Sequence, residues 1–570
     1  MEQRLFAGRM LAFTCGVLVA VALVVGVARA QEDGNRRGED RGSVIFLHPD
    51  GTGPNHWQAA RTYWQGPDAI SNWDRLEEMA VYRGHMADLL AGTSNGGATT
   101  HAFGYKVDGL GSFGKDGNGL ATPPDDRFID SLSGYPGSIM REAAANRHPV
   151  GVVNDGTVSE PGSGAFLAEV GNRNDNAGIA LQMLNGRTDN QNATSSSDPD
   201  PRVILGGGER WFLPAPGQGQ SISTSPSNGY HGWGSRTDGR NLIREAQGDG
   251  YRVIRTRAEY ETLMNQLQSR ECERSRPDLQ RCAPKVLGLF ARNDTFNDTT
   301  EERLIAGGLR DPQIGEQDKR SNLLLYGTKR GLPNPNNVTD GEQIAQDLVG
   351  SNGRQVTANG ENPPTVAEMT EMAILILSRA ERQANRPFML VAEPESPDNF
   401  GNNDNAIGTL TATKRSDDMI GEALEYGRRD GDTLIITAAD SDAGGMQLVP
   451  LVRDAAGNVP NVPTVNVNPT GDAAQNFNVQ IDGVYGRGTR AFVAADDQFG
   501  QQLPFGIAWM GTNDVQGGII TRASGGNAQL LDGEQFSQRF DNVDVYRMMY
   551  DNLFNELLDY PEGERAPDRE

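Results

Sequence analysis

Short apolar runs rich in β-branched residues recur along this chain, and they constrain its fold more than any other feature. A strand that is covered on both faces has a continuous apolar sequence, so each run predicts a buried strand. The seven runs span residues 43–48, 150–154, 202–206, 285–291, 387–393, 433–439 and 504–510. Amphipathic patterns with a helical period lie between several of them, as in Val366, Met369, Ala373 and Ile376. Strands that alternate with helices predict a layered α/β domain.

The periodic segments are interrupted by polar stretches rich in Asn, Gly, Ser and Pro, chiefly at 185–202, 217–240, 333–362 and 450–496. This composition predicts loops or insertions rather than layers of the fold. The sequence contains no internal repeat and no linker long enough to separate two domains. We therefore expect a single domain over residues 31–570, with surface insertions at about 174–284 and 450–496.

The first thirty residues have the pattern of a cleaved secretory signal peptide. Arg4 and Arg9 precede an apolar run at 15–27, and Ala28-Arg29-Ala30 matches a small-x-small cleavage site. A retained anchor is the alternative, but the run is shorter than the roughly 20 residues that a membrane span needs. We expect a secreted or periplasmic protein without a membrane anchor in its mature form.

Only two cysteines, Cys272 and Cys282, remain after the predicted cleavage. They lie ten positions apart in a polar stretch, so in an exported protein we expect one disulfide that closes a surface loop. Two free thiols are the alternative.

The charge balance excludes some partners. Lys and Arg number 52 against 76 Asp and Glu, which gives a formal net charge of −24. Such a chain would repel the phosphates of a nucleic acid or of an anionic membrane, so neither is expected as a partner. Any anionic substrate must be attracted by local groups.

Acidic side chains follow four of the predicted strands. Ligands bind beyond the carboxyl ends of strands in an open α/β sheet, so residues there are the first candidates for a site. They are Asp50, then Glu393, Glu395 and Asp398, then Asp440 and Asp442, and finally Asp514. A single Asp after a strand is commonly a turn or a helix cap. Acidic residues after four separate strands favour a metal cluster, because convergent carboxylates repel one another unless a cation lies between them.

A second signal is the segment 93–106, in which Ser94 is followed by Gly96, Gly97 and Ala98. Small residues allow close approach to a ligand, and the start of a helix favours an alkoxide or a bound phosphate. The alternative is that Ser94 is only the N-cap of a helix.

With these features the chain resembles the alkaline phosphatases. The matching stretches occur in that family's order at 50–53, 94–106, 151–153, 203–208, 286–290, 364–370 and 434–438. The resemblance covers most of residues 43–525. It implies a three-layer α/β fold with a central, mostly parallel β-sheet flanked by helices.

The resemblance also implies an activity, the hydrolysis of small phosphate monoesters through a covalent phosphoserine. Ser94 falls on the nucleophile, and Arg173 falls on the arginine that clamps phosphate oxygens. Asp50 falls on the carboxylate that bridges two metal positions. Related enzymes are commonly homodimers, so the resemblance implies a homodimer here.

Further metal ligands are implied by the same resemblance. Glu393 and Glu160 fall on the third metal position, where Gly162 cannot contribute a side chain. Asp398 and Asp440 fall on acidic ligands of the paired metals.

The chain departs from the family at three metal-binding histidines, whose positions hold Asn402, Ser441 and Asp514, and Asp442 could substitute for Ser441. An all-oxygen site favours Mg²⁺, Ca²⁺ or Mn²⁺, whereas Zn²⁺ is implied only by the resemblance. His48 and His56 flank Asp50, and each is either a metal ligand or a buried, hydrogen-bonded histidine.

Three alternatives remain open. A phosphodiesterase of the same superfamily could use Thr93 as its nucleophile. A sulfatase needs a Cys or Ser in a C/S-x-P-x-R context, and the segment at 282–286 lacks the Arg. The loss of three histidines could also leave a catalytically disabled protein that only binds metal or phosphate.

Overall fold

The computed structural model describes most of the chain from residue 42 onward. The described residues are 42–109, 111–116, 127–186, 201–215, 234–274, 278–309, 319–327, 362–458, 480–481, 491–533, 536, 540–564 and 566–567. The predicted signal peptide at 1–30 lies outside them, as do most residues of the predicted loops at 185–202, 217–240 and 333–362.

Nine of the described strands form one sheet. They are β1 (Val44–Leu47), β2 (Glu78–Val81), β3 (Val150–Thr157), β4 (Val203–Gly207), β5 (Arg252–Ile254), β6 (Val286–Leu289), β7 (Met389–Glu393), β8 (Leu434–Thr437) and β15 (Ile520–Ser524). Their order is β2-β15-β8-β1-β7-β3-β4-β6-β5, and β15 alone runs antiparallel to the other eight strands. The predicted, mostly parallel central sheet is confirmed.

Helices cover both faces of this sheet, which makes three layers. Alternate residues of β1 show the division, because Phe46 packs into one core and Ile45 into the other. Helices Ser94–Phe103, Ile139–Ala145, Asn176–Asn185 and Asn542–Phe554 cover the Phe46 face. Helices Pro54–Trp64, Arg257–Leu267, Val366–Ala384 and Ala406–Asp430 cover the other face. Shorter described helices lie at Pro161–Gly164, Leu242–Gly248, Leu279–Cys282, Glu301–Ala306, Lys319–Leu325 and Ser396–Asn402.

The seventh predicted strand does not join the central sheet. It forms β13 (Pro504–Trp509), which pairs in antiparallel fashion with β10 (Gln447–Pro450), β11 (Gln480–Ile481) and β12 (Phe492–Val493). A two-stranded ribbon of β9 (Asp442–Ala443) and β14 (Asp514–Val515) links this second sheet to the carboxyl end of β8. An apolar run shows that a strand is buried, but it does not show which sheet the strand joins.

The stretch 174–284, expected as a surface insertion, contributes two strands to the central sheet. Both β4 and β5 are parallel neighbours of β6. The stretch is therefore not a surface insertion over its whole length. The run at 202–206 is predicted as a strand and forms β4, whereas the short β5 is not apparent in the polar sequence around it.

The predicted disulfide joins Cys272 to Cys282, with a Cα–Cα distance of 5.2 Å. Both cysteines are buried, so the bridge lies beneath the surface loop that we expected it to close. Along the part of the chain that the structure describes, no helix is both long and apolar enough to cross a membrane.

Candidate active site

The carboxyl ends of three adjacent strands bring the predicted acidic residues together. In the sheet β1 lies between β8 and β7, in parallel with both. Asp50 follows β1, Glu395 and Asp398 follow β7, and Asp440 follows β8. All four side chains are buried, with at most 7% of the surface exposed. The topology therefore creates the acidic cluster that the sequence predicts.

Two sets of side chains in this cluster have ligand atoms within 4.8 Å of one another. We call His48, Asp50 and Asp440 the histidine group, and Asp50, Glu395 and Asp398 the carboxylate group. Asp50 belongs to both groups. This shared position agrees with the bridging role that the resemblance implies for Asp50.

Several buried polar atoms of the cluster have no hydrogen-bond partner among the residues that the structure describes. They are Asp50 Oδ2, Asp440 Oδ1 and Oδ2, Glu395 Oε2, Ser441 Oγ, and His48 Nδ1 and Nε2. Burying an unpaired polar atom is unfavourable, and more so when it carries charge. Divalent cations would satisfy these atoms, so the donor set fits the metals that the family fold implies.

The electrostatics of the carboxylates support the same interpretation. Burial raises the pKa of Asp50 well above its usual value, and Asp440, Glu395 and Asp398 raise it further. Burial, Glu160 and Glu393 likewise raise the pKa of Glu395. Without a cation, the carboxylates compete for protons because they cannot all be ionised side by side.

Hydrogen bonds through Asn402 connect the cluster to the β9/β14 ribbon. Asn402 Nδ2 donates to both carboxylate oxygens of Asp398 at 3.1 Å and to Asp514 Oδ1 at 2.9 Å. Asn402 Oδ1 accepts from Gly444 N at 3.2 Å. Asp514 thus reaches the site on the β9/β14 ribbon rather than at the end of a central strand. With its amide used in this way, Asn402 positions two carboxylates.

Asp442 lies apart from both groups. Its Oδ1 atom is 3.4 Å from His56 Nδ1, and its carboxylate packs against Gly53 and Gly517, where a Cβ atom would come within 2.4 Å. Burial raises the pKa of Asp442 to about 7, with Asp514 as the second cause. The structure therefore places Asp442 beside His56, whereas Ser441 stays next to Asp440.

Glu393 is fully buried, and hydrogen bonds engage both of its carboxylate oxygens. Oε1 accepts from Gly162 N at 2.9 Å, and Oε2 accepts from Asn154 Nδ2. Burial raises its pKa to about 8. Neither ligand group contains Glu393, whereas Glu395, two residues later, belongs to the carboxylate group.

Arg173 and Glu160 lie at the rim of the cluster. The guanidinium Nη2 atom is 3.6 Å from Glu160 Oε2, and both side chains are about 30% exposed. Burial raises the pKa of Glu160 to about 7, although Arg173 lowers it. Burial lowers the pKa of Arg173, but Glu160, Glu395 and Asp50 outweigh that effect and raise it. Arg173 is thus a permanent cation facing the carboxylates.

Ser94 begins the helix Ser94–Phe103, but it is not the N-cap. The cap is Thr93, whose Oγ1 accepts from Gly96 N at 3.3 Å and donates to Gly109 O at 3.0 Å. Ser94 itself is buried, with 6% of its surface exposed. The interpretation of Ser94 as a helix cap is therefore wrong, because Thr93 fills that role.

Glycine brings the first turn of this helix against the cluster. A Cβ atom on Gly97 would lie 2.6 Å from the Cβ atom of Asp440, and one on Gly92 would lie 2.2 Å from Asp440 O. Any larger residue would push the helix away from Asp440. Gly92 and Gly97, one on each side of Ser94, therefore allow the helix N-terminus, with its partial positive charge, to lie beside the histidine group.

Two members of the ligand groups were not assigned from the sequence. Glu395 is among the acidic residues that follow β7 in the sequence, but the resemblance implies Glu393, not Glu395, as a metal ligand. His48 was left as either a ligand or a hydrogen-bonded core residue, and its nitrogens make no hydrogen bond to any described residue. The signal for His48 was its position, two residues before Asp50 at the end of a buried strand.

The chain is similar in sequence and in fold to known proteins. A sequence model of the family described as "Alkaline phosphatase" matches residues 42–489. Alkaline phosphatase of Escherichia coli K12 is 23% identical over 418 residues, which are 70% of this chain and 69% of that enzyme. Alkaline phosphatase of Escherichia fergusonii is 39% identical over 80 residues, but this match spans only 14% of this chain and 16% of that enzyme.

Solved structures show the same fold. One is a variant of alkaline phosphatase from the Antarctic bacterium TAB5, in which a histidine is replaced by aspartate and Mg is bound in the site named M3. The match covers 91% of this chain and all of that one, with a TM-score of 0.51 and 16% sequence identity.

Proposed function

Because the chain belongs to the alkaline phosphatase family, we propose that it is an exported, metal-dependent phosphomonoesterase with Ser94 as its nucleophile. One observation carries the proposal. The helix that begins at Ser94 packs through Gly97 against Asp440, whose buried carboxylate oxygens have no hydrogen-bond partner among the described residues and fit a divalent cation. This contact supports Ser94 as the nucleophile.

In this proposal Asp50 and Asp440 would bind one metal ion, and Asp50, Glu395 and Asp398 would bind another. Glu393, Glu160, Ser441, Asp442 and Asp514 remain proposed members of the wider metal site, with Asn402 as either a ligand or a positioning residue. When bound, such ions neutralise the phosphate oxygens and lower the pKa of the serine hydroxyl.

The side chains of the chain would divide the reaction between them. Arg173 would hold two oxygens of the phosphoryl group with its planar guanidinium. Ser94 Oγ would then form a bond to phosphorus, and the bond from phosphorus to the alcohol oxygen would break. The serine hydroxyl would lose its proton to solvent, and the leaving alkoxide would take up a proton from solvent to give the alcohol. Water then attacks the phosphoserine, which returns Ser94 to its starting state and releases inorganic phosphate.

The identity of the metals follows from the donor atoms. The carboxylate group offers only oxygen, which favours Mg²⁺, Ca²⁺ or Mn²⁺. The TAB5 variant with aspartate in place of a histidine has Mg bound in its M3 site. This supports Mg²⁺ as an ion that the carboxylates of the present chain could bind. Zn²⁺ is proposed here only from family membership.

The hydrogen bonds of Thr93 favour Ser94 over Thr93 as the nucleophile. The Thr93 hydroxyl already caps the helix and donates to Gly109 O, so attack by Thr93 would break both interactions. A diesterase that uses Thr93 is therefore the weaker alternative. The sulfatase alternative is weaker still, because Cys282 forms the disulfide.

The test compares Ser94→Ala with Thr93→Ala on a phosphate monoester and on a phosphate diester. We expect Ser94→Ala to abolish monoester turnover and Thr93→Ala to retain most of it. Mass spectrometry of acid-quenched enzyme should find the trapped phosphoryl group on Ser94.

Full monoester activity of Ser94→Ala would contradict the assignment of the nucleophile. A faster reaction on the diester that depends on Thr93 would establish the phosphodiesterase instead. Binding of phosphate without turnover of either ester would identify a disabled binding protein.

Export and assembly are part of the same proposal. The N-terminal sequence of the protein recovered outside the cytoplasm should begin near Gln31 if the signal peptide is cleaved. A homodimer, proposed from the family alone, would elute from a sizing column at about twice the mass of the mature chain.

A further inference from the structure

His48 occupies an unusual place for a histidine. It directly follows β1 on the side of the sheet where the acidic cluster lies, and it is fully buried. Neither ring nitrogen has a hydrogen-bond partner among the described residues. An imidazole must present at least one polar nitrogen in either neutral tautomer, so this burial is unfavourable unless a ligand satisfies it.

Three other buried histidines each have a hydrogen-bond partner for one ring nitrogen. His101 Nε2 lies 2.8 Å from the Tyr82 hydroxyl, and His148 Nδ1 lies 2.7 Å from Pro387 O. His56 Nδ1 accepts from Gly53 N at 3.2 Å. His48 differs from all three because neither of its ring nitrogens has such a partner among the described residues.

Packing explains only part of the environment of His48. The ring lies 5.8 Å from the Phe46 ring and 5.4 Å from the His101 ring, in tilted and T-shaped arrangements. These contacts hold the ring in place without using its nitrogens. At the same time, one nitrogen lies within 4.8 Å of carboxylate oxygens of both Asp50 and Asp440.

We propose that His48 supplies a ring nitrogen to the metal ion held by Asp50 and Asp440. The inference rests on the proposed metal-dependent function and deepens it. It makes the site mixed, with nitrogen and oxygen in the histidine group and oxygen alone in the carboxylate group. The nitrogen thereby enters from the end of β1 rather than from the positions of Asn402, Ser441 and Asp514.

A mixed site has a different metal preference. Imidazole suits borderline ions such as Zn²⁺ and Co²⁺, whereas carboxylates alone suit Mg²⁺ and Ca²⁺. The histidine group should therefore bind Co²⁺ or Zn²⁺ more tightly than it binds Ca²⁺. Our expectation of an all-oxygen cluster then applies to the carboxylate group only.

The test uses electron–nuclear double resonance on the full mature chain, labelled with ¹⁵N-histidine and loaded with Mn²⁺. A coordinated imidazole transfers spin density to its nitrogen, so a ¹⁵N coupling should appear in the wild-type spectrum. This readout does not depend on catalysis. His48→Gln should remove the coupling and weaken Mn²⁺ binding to the histidine group by about 10- to 100-fold or more.

His56→Gln is the matched control, because His56 also flanks Asp50 but lies beside Asp442. The ¹⁵N coupling should persist in this variant. A coupling that disappears in His56→Gln and survives in His48→Gln would overturn the inference. If His48→Gln does not fold, as judged by circular dichroism, His48→Asn replaces it.

The wild-type spectrum alone can also overturn the inference. Mn²⁺ added until both ligand groups are filled, as counted by metal analysis, but without any ¹⁵N coupling would refute His48 as a ligand and leave the proposed phosphatase intact. A wild-type chain that binds no Mn²⁺, Zn²⁺ or Co²⁺ would overturn both the inference and the proposed function.

Discussion

The two ligand groups that meet at Asp50 differ in chemistry and in surroundings. The histidine group lies between β1 and β8, combines one imidazole with two carboxylates, and contacts the N-terminal turn of the Ser94 helix. The carboxylate group lies between β1 and β7, and Asn402 links its Asp398 to Asp514 on the β9/β14 ribbon. One half of the cluster thus lies beside the helix that begins at Ser94, the proposed nucleophile, and the other half lies near Arg173 and Glu160.

This difference suggests a different role for each group, one toward the serine and one toward the phosphoryl group, which the sequence alone could not assign. We infer that the histidine group acts on the serine, because the helix start approaches it. We infer likewise that the carboxylate group and Arg173 together would bind the charge of the phosphoryl group. Variants on each side of Asp50 should therefore fail in different ways.

The largest effect is expected for Asp50→Asn, since Asp50 belongs to both groups. Losing metal stabilisation worth several kcal/mol should lower kcat/KM by about 10³-fold or more. Metal analysis of the purified variant should show depletion at both positions. A variant that retains one ion at full occupancy would show that Asp50 is not shared.

The next largest effect separates Glu395 from Glu393. Glu395→Gln removes a carboxylate of the carboxylate group and should weaken Mg²⁺ binding by about 10- to 100-fold or more, as measured by calorimetry. Glu393→Gln is the control, because hydrogen bonds from Gly162 and Asn154 engage both oxygens of Glu393. Its effect on Mg²⁺ affinity should be smaller. The reverse order would return the ligand role to Glu393.

A third prediction concerns the metal-free protein between pH 7.5 and 8.5. Asp50, Glu395 and Asp398 have pKa values well above their usual range, and burial raises the pKa of Glu393 to about 8. The native state therefore keeps protons that the unfolded state has lost, so stability must fall as the pH rises. Each retained proton should lower the free energy of unfolding by about 1.4 kcal/mol per pH unit.

The histidines do not obscure this window. Burial lowers the pKa of His48 to about 4 and that of His56 to about 3, so both stay neutral in the native state, and unfolded histidine is also largely neutral above pH 7.5. Urea titrations at the two pH values measure the effect, and added Mg²⁺ should reduce it. A metal-free protein that is equally stable at both values would contradict the buried, protonated carboxylates.

The smallest effect is expected at the cap beside the histidine group. Thr93→Ala should lower the free energy of unfolding by about 1 kcal/mol, because Gly96 N loses its acceptor. Thr93→Ser keeps the hydroxyl and should be nearly neutral. Urea denaturation of both variants measures the difference. Equal stability of the two would show that the cap contributes little.

Much of the fold could be predicted from the sequence, because buried parallel strands have continuous apolar sequences. Six of the seven predicted runs lie in the central sheet. The short strands β2, β5 and β15 were missed, since residues such as Glu78, Arg252 and Arg522 break the apolar pattern. Their place in the sheet depends on neighbours that are distant in the chain.

The site shows the same limit. Position after a strand was enough to predict that Asp50, Asp398 and Asp440 converge. The choice between Glu393 and Glu395 depends on which carboxylate the backbone of Gly162 engages, and that contact joins residues 231 positions apart. The isolation of Asp442 likewise depends on His56 and on the turn at Gly53, which no local pattern reveals.

The most direct measurement is the reconstitution of metal-stripped enzyme, with p-nitrophenyl phosphate hydrolysis followed at alkaline pH. Mg²⁺, Ca²⁺, Mn²⁺, Co²⁺ and Zn²⁺ would be added singly and in pairs. The two different groups at Asp50 predict that a hard ion together with a borderline ion restores more turnover than either ion alone at saturation. Full turnover by the stripped enzyme, or no turnover with any ion or pair, would contradict a phosphatase built on these two groups.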